Sequence, residues 1–180
     1  NQGFLMNRQK DTNVLNLAGS DDYVYCYERP SLRITGALTL EAWVKTTDND
    51  VYIIGRDDAT VRAYYFAIIG NKTRLYVNDS SSESFDDGAT SVNDGSWHHL
   101  VGVYVPSTSI TIYVDGESDG VHTSSIISEI RSSTEEVHIG VKGNLDSTKF
   151  LDGQIDDVRI YSKALSAAEI TRNYNAGKRS

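Results

Sequence analysis

Trp97-His98-His99-Leu100-Val101-Gly102-Val103-Tyr104-Val105 is followed, after Pro106, by Ser109-Ile110-Thr111-Ile112-Tyr113-Val114-Asp115-Gly116. Both runs are dense in β-branched and aromatic residues, which fit a pleated, half-buried surface. Turn chemistry brackets them. Asn93-Asp94-Gly95-Ser96 precedes the first, and Asp115-Gly116 after the second is a type I′ hairpin signal leading to a further strand. Reading outward in both directions, the same pattern recurs. Strands are expected over residues 14–17, 23–28, 38–46, 51–56, 64–69, 73–77, 97–105, 109–114, 137–141 and 154–160. Gly70-Asn71-Lys72 and Asp152-Gly153 supply further turns, and the two prolines, Pro30 and Pro106, sit at strand ends where a missing N–H costs little. The polar stretches 78–93 and 143–149 read as loops.

One helix is expected. Ser166-Ala167-Ala168-Glu169 fits a capping box, with Leu165 and Ile170 placed to staple it. It should run to about Tyr174, with Gly177 as the stop. Many short strands and one terminal helix indicate an all-β, two-sheet antiparallel sandwich. No repeat and no internal boundary divides residues 1–180, so one domain is expected; residues 178–180 look like the start of a linker. The chain opens on Asn1 rather than Met, which suggests a piece excised from a larger secreted multidomain protein.

A net charge of −8 argues against nucleic acid and anionic membrane as partners, since both demand basic patches. No apolar run is long enough to insert into a membrane. The single cysteine, Cys26, allows no intrachain disulfide and reads as an inert, buried thiol. Eleven tyrosines against four phenylalanines and two tryptophans is a balance that suits a binding surface, because tyrosine joins a flat apolar face to a polar tip.

Three segments together resemble the laminin-G-like jelly-roll family, also described as LamG-like or pentraxin-like concanavalin A domains. The first is Leu17-Ala18-Gly19-Ser20-Asp21-Asp22-Tyr23-Val24, followed by Leu38-Thr39-Leu40-Glu41-Ala42-Trp43-Val44-Lys45. The second runs from Asp94 to Val101 and on through Ile112-Tyr113-Val114-Asp115-Gly116. The third is Phe150-Leu151-Asp152-Gly153-Gln154-Ile155-Asp156-Asp157-Val158-Arg159-Ile160-Tyr161, ending on Ala164-Leu165-Ser166-Ala167-Ala168-Glu169-Ile170. The resemblance implies a concanavalin A-like jelly roll. It implies the work of carbohydrate-binding modules, adhesins, pentraxins or accessory domains of polysaccharide-degrading enzymes. It also implies a structural Ca²⁺ where the first and last strands meet. The side chains of Asp22 and Asp156, with Gly19 giving a carbonyl and Asp157 and Asp21 beside them, are the expected ligands; a hard cation of this kind takes carboxylate and carbonyl oxygens.

For a sugar ligand, the residues of interest are Arg56-Asp57-Asp58, Tyr64-Tyr65, Asn71, Arg74, Tyr76, Lys142, Asn144 and Asp146. Aromatic faces stack on sugar C–H faces, while amide, carboxylate and guanidinium groups bind hydroxyls. Arg56 and Lys142 together favour an acidic or sulfated sugar. His98 and His99, adjacent on a strand, point to opposite faces and cannot chelate one ion, so they are expected to be core histidines with backbone partners. Trp43 and Trp97 are expected in the core, and the lone His138 is expected to be structural.

No Glu-x-Asp-x-x-Glu or Glu-x-Asp-x-Glu pattern of glycoside hydrolases occurs, and Glu135-Glu136 and Asp156-Asp157 diverge if extended. The expected function is a non-catalytic carbohydrate-binding module for a polysaccharide, secreted or at the cell surface, next to a catalytic domain of a polysaccharide-degrading enzyme. A structural, protein-interaction or adhesion domain is the alternative, and a lyase or hydrolase of the same fold the second.

Overall fold

A computed structural model describes residues 14–57, 61–146 and 148–178. Among the described residues, twelve strands form two six-stranded antiparallel sheets. Sheet A has the order β1 (Leu15–Ala18), β12 (Asp152–Tyr161), β3 (Leu38–Thr46), β8 (His98–Val105), β9 (Ser109–Val114) and β10 (Glu117–His122). Sheet B has the order β2 (Val24–Cys26), β11 (Val137–Ile139), β4 (Val51–Asp57), β5 (Arg62–Ile69), β6 (Lys72–Asn78) and β7 (Glu83–Ser91). One α-helix is present among the described residues, α1, over Ala167–Gly177. No described helix is long and apolar enough to cross a membrane.

The Asp115-Gly116 hairpin forms as its chemistry demands. Both residues take positive φ, 52° and 86°, the conformation of a type I′ turn. β8 reads as a continuous apolar run because both of its faces are covered. Leu100 and Tyr104 face sheet B, while Val101 and Val103 face the other way and pack with Leu165 and Ile170 of the α1 segment. The capping box is present in full: Glu169 N–H donates to Ser166 Oγ at 3.3 Å, and Ser166 N–H donates to Glu169 Oε2 at 2.8 Å. The two sheets pack closely at Gly102, where a Cβ would stand 2.9 Å from Leu75 Cβ.

The stretch expected to be a loop at 78–93 contains β7. Its residues are polar because β7 is an edge strand with few side chains turned inward. Pairing with β6 and a side-chain clamp hold it instead. Asp119 of β10 accepts from Ala89 N–H at 2.8 Å, Thr90 N–H at 3.0 Å and Thr90 Oγ at 2.5 Å, which ties the facing sheet edges together.

Candidate functional site

Two places gather chemically capable side chains. The first lies on the outer face of sheet A, beneath α1. The fully buried Glu41 accepts from His99 Nε2 at 3.0 Å, Arg159 Nη1 at 2.5 Å and Asn173 Nδ2 at 2.9 Å. Burial alone would raise the Glu41 carboxyl, but the His99 bond, the Arg159 charge and the Asn173 bond outweigh it and hold it below the usual range. Trp43 stacks on Tyr174 of the helix, centroids 5.7 Å apart and 19° from parallel, with His99 tilted against both. Glu41 and His99 have no exposed surface, so no substrate reaches them. This set is a clasp that fastens α1 to sheet A.

The histidines do diverge as expected, but their partners are carboxylates rather than backbone. His99 bonds Glu41 inside the clasp, while His98 sits between Asp115 (2.9 Å) and Asp94 (3.3 Å). Trp97 is only half-buried, a departure from the core position expected for it.

The second place is the outer face of sheet B. Strand register runs one row straight across it: Tyr25, His138, Gly55, Tyr65, Tyr76 and Phe85 are successive cross-strand partners on all six strands. In the middle, Tyr65 and Tyr76 stack nearly parallel at 4.6 Å, with Tyr52 tilted against Tyr65, and these three are buried against one another. At the β2 edge the row opens to solvent. Tyr23, Tyr25 and Tyr27 alternate outward along the strand, with centroids 6.2 and 5.0 Å apart. His138 lies 5.9 Å from Tyr23 and 6.4 Å from Tyr25, and Phe150 packs edge-on to Tyr23 at 6.1 Å. Tyr27 is 63% exposed and Tyr25 43%. Their hydroxyls share a hydrogen bond of 3.0 Å, which raises the Tyr25 pKa. Burial lowers the pKa of His138, so its ring is neutral at physiological pH.

The residues expected to bind sugar fall in different places. Arg56 and Tyr64 are corrected: they are cross-strand partners whose side chains enter the sandwich, 1% and 0% exposed, because a bulge between Tyr52 and Ile54 sets Ile54 and Arg56 inward. Arg74 and Tyr76 are on the outer face but committed. Arg74 holds Asp87 through two bonds of 2.6 and 2.7 Å above the Phe85 ring, and Tyr76 donates to Glu83 at 2.7 Å. Asn71 occupies the β5–β6 turn at φ 69°, its N–H donating to the Asn49 carbonyl. Lys142 and Asn144 lie in the loop that leads to Phe150, and Asn144 Oδ1 accepts from Asp146 N–H at 3.3 Å. Asp58 lies outside the described residues. Sequence reasoning passed over Tyr23, Tyr25, Tyr27 and Phe150, although the Tyr-x-Tyr-x-Tyr alternation was the signal that puts three rings on one face.

The donors expected for Ca²⁺ do not converge. β1 pairs with β12 so that Ala18 faces Asp152, which sets Asp152 rather than Asp156 against Gly19. Asp156 is four residues further along β12, roughly 13 Å away at 3.3 Å per residue. Asp22 closes its own turn by accepting from Ala18 N–H at 3.1 Å. Asp157 is buried at a bulge, 3.3 Å from Arg159 Nη2. Gly19 and Asp152 instead border an open cleft of about 470 Å³ with Asp48, Asp50 and Lys149. Among the described residues no three His, Cys, Asp or Glu side chains are grouped to hold a metal ion.

Three solved structures share this fold. The binding domain of Paraclostridial mosquitocidal protein 1 superposes with a TM-score of 0.75 at 12% identity, over 97% of this chain and 45% of that one. The receptor-binding domain of botulinum neurotoxin mosaic serotype C/D gives 0.73 at 17%, over 98% and 45%. The ligand-binding domain of botulinum neurotoxin serotype D, solved in complex with N-acetylneuraminic acid, gives 0.72 at 17%, over 96% and 44%. This chain thus spans less than half the length of each, and at these identities the likeness is one of fold. No curated protein sequence matches it significantly. The profile of the concanavalin A-like lectin/glucanases superfamily matches residues 18–171, and with the two-sheet jelly roll around that span, the chain belongs to this superfamily.

Proposed function

We propose that this domain is a non-catalytic glycan-binding domain of an extracellular protein, taking a polysaccharide on the outer face of sheet B. The observation that carries the reading is the aromatic cluster at the β2 edge, in which Tyr25 and Tyr27 face solvent and Tyr23 is half-buried, backed by the buried rings of His138 and Phe150. Sugar C–H faces stack on such rings, and the paired Tyr25 and Tyr27 hydroxyls can exchange hydrogen bonds with sugar hydroxyls. A contiguous exposed apolar patch is itself a mark of an interaction site. The superfamily's lectin members and the toxin binding domains of like fold, one with N-acetylneuraminic acid bound, support the same reading. The buried carboxylate–imidazole pair of Glu41 and His99 is sealed under α1, out of reach of a substrate, which supports the non-catalytic reading. In a longer chain, such a domain would hold a polysaccharide-degrading neighbour against its substrate.

The test is affinity electrophoresis against soluble polysaccharides, with reducing-end and unsaturated-product assays alongside. Binding without product is expected. Tyr25→Ala with Tyr27→Ala should weaken it by about tenfold or more, the worth of two stacked rings. A thermal melt beside it checks that the variant folds, since both side chains are exposed at the β2 edge, Tyr25 the less so. Unchanged affinity in the double variant would remove this face from the binding site.

A further inference from the structure

The end of the exposed aromatic strand carries an unusual balance of charge. Three arginines share one carboxylate. Glu28, directly after Tyr27, has its Oε1 2.6 Å from Arg33 Nε and 3.7 Å from Arg56 Nη2. Arg29 acts on the same carboxylate, and the Arg33 hydrogen bond is the largest of the influences that lower its pKa. Glu28 cannot serve them all. Arg56, 1% exposed, donates from Nη2 to the Ser133 carbonyl at 2.8 Å, while its Nε and Nη1 are buried without acceptors. Arg56 lies inside the sandwich, so Glu28 is the shared counter-charge of this interior guanidinium and of the two arginines outside it.

Two of these arginines are reachable. Arg33 is 39% exposed on its side chain, and Arg29 is exposed. Arg29 is extended, φ −137° and ψ 137°, two residues beyond Tyr27 in the series Tyr23, Tyr25, Tyr27. Elsewhere on this face the arginines are matched one to one, Arg74 by Asp87 and Arg62 by Asp57, and Lys72 stands at the far turn of β6. Glu136 acts on Tyr25 from the β11 side, so the acidic and basic ends of the cluster are distinct. A local cationic excess on a chain of net charge −8 is set against the general field of the molecule.

We infer that the aromatic cluster takes an anionic sugar, whose ring lies on Tyr25 and Tyr27 while its carboxylate or sulfate meets the guanidinium groups of Arg29 and Arg33. The inference rests on the glycan-binding reading above and names its ligand class. A guanidinium presents a fork of donors that matches either anion, so a uronate and a sulfate ester are alternatives within one chemistry.

The experiment compares a neutral polysaccharide, a uronate polymer and a sulfated polymer by calorimetry, each at low and at physiological ionic strength. The variants are Arg33→Gln and Arg29→Gln, with Lys72→Gln as control. The expected result is tighter binding of one or both anionic polymers, weakening with salt. Arg33→Gln should lose about tenfold, the loss of one charge-assisted hydrogen bond, and Lys72→Gln nothing. Which of the two anionic polymers responds identifies the anion. Binding of the neutral polymer alone, or anionic binding that ignores Arg29 and Arg33, overturns the inference and leaves the glycan-binding reading standing. Silence toward every polymer overturns both.

Discussion

Glu41→Ala removes the one carboxylate on which His99, Arg159 and Asn173 converge. Breaking a buried pair by deleting one partner costs about 3–5 kcal/mol, because the other charge stays desolvated. Arg159 keeps Asp157 at 3.3 Å and is 22% exposed on its side chain, so the lower figure, about 3 kcal/mol, applies here. For a domain of this size that is a fall in melting temperature of about 6–12 °C, still leaving a folded protein at room temperature. Urea unfolding at pH 7 measures it, and Arg159→Ala with the double variant closes a cycle in which the pair should couple by about 1 kcal/mol or more. The pH dependence adds a second check. The folded pKa of Glu41 is depressed, so its contribution is present above the ordinary value of 4.5 and lost as pH falls below it; the variant should lack that part of the acid loss. A loss under about 1 kcal/mol, with additive singles, would mean that α1 is held by Leu165 and Ile170 alone and that the clasp is ornamental.

Gly102→Ala should destabilise by about 1–3 kcal/mol in urea titration, because the new methyl meets Leu75 Cβ at 2.9 Å and the Phe66 ring at 3.0 Å; no change would show that the sheets part freely at this layer. His98 tests electrostatics with the opposite sign to Glu41. Its hydrogen bond to Asp115, followed by the charges of Asp115 and Asp94, raises its pKa against burial. The stability it contributes is complete below the ordinary value of 6.5 and is lost as pH rises through the raised one, so wild type and His98→Ala should converge on going from pH 5.5 to alkaline buffer. A gap between their melting temperatures that widens over that range would contradict the assignment.

The architecture could be read from local pattern. Alternation and turn chemistry are properties of a few adjacent residues, so the hairpin at Asp115-Gly116, the Ser166 cap and most strands were legible in the chain. β7 escaped because an edge strand need not be apolar, and its clamp, Asp119, is contributed by a strand about thirty residues away. The sites were harder for the same reason on a larger scale. Arg56 looked like surface chemistry until the bulge after Tyr52 turned it inward beside its cross-strand partner Tyr64, since a shift of one residue reverses every side chain that follows. Asp22 and Asp156 looked like one metal site until register placed Asp152 opposite Ala18.

By itself the sequence determined the class of fold, the cap of the helix and the net acidic charge, because periodicity, turn residues and net charge are written locally or as sums. Tertiary structure alone decided that Tyr25, His138, Tyr65, Tyr76 and Phe85 share one face, and that Arg29, Arg33 and Arg56 crowd one carboxylate. These residues come from strands far apart in the chain, and only the pairing register, set by the burial of all the other side chains, brings them together.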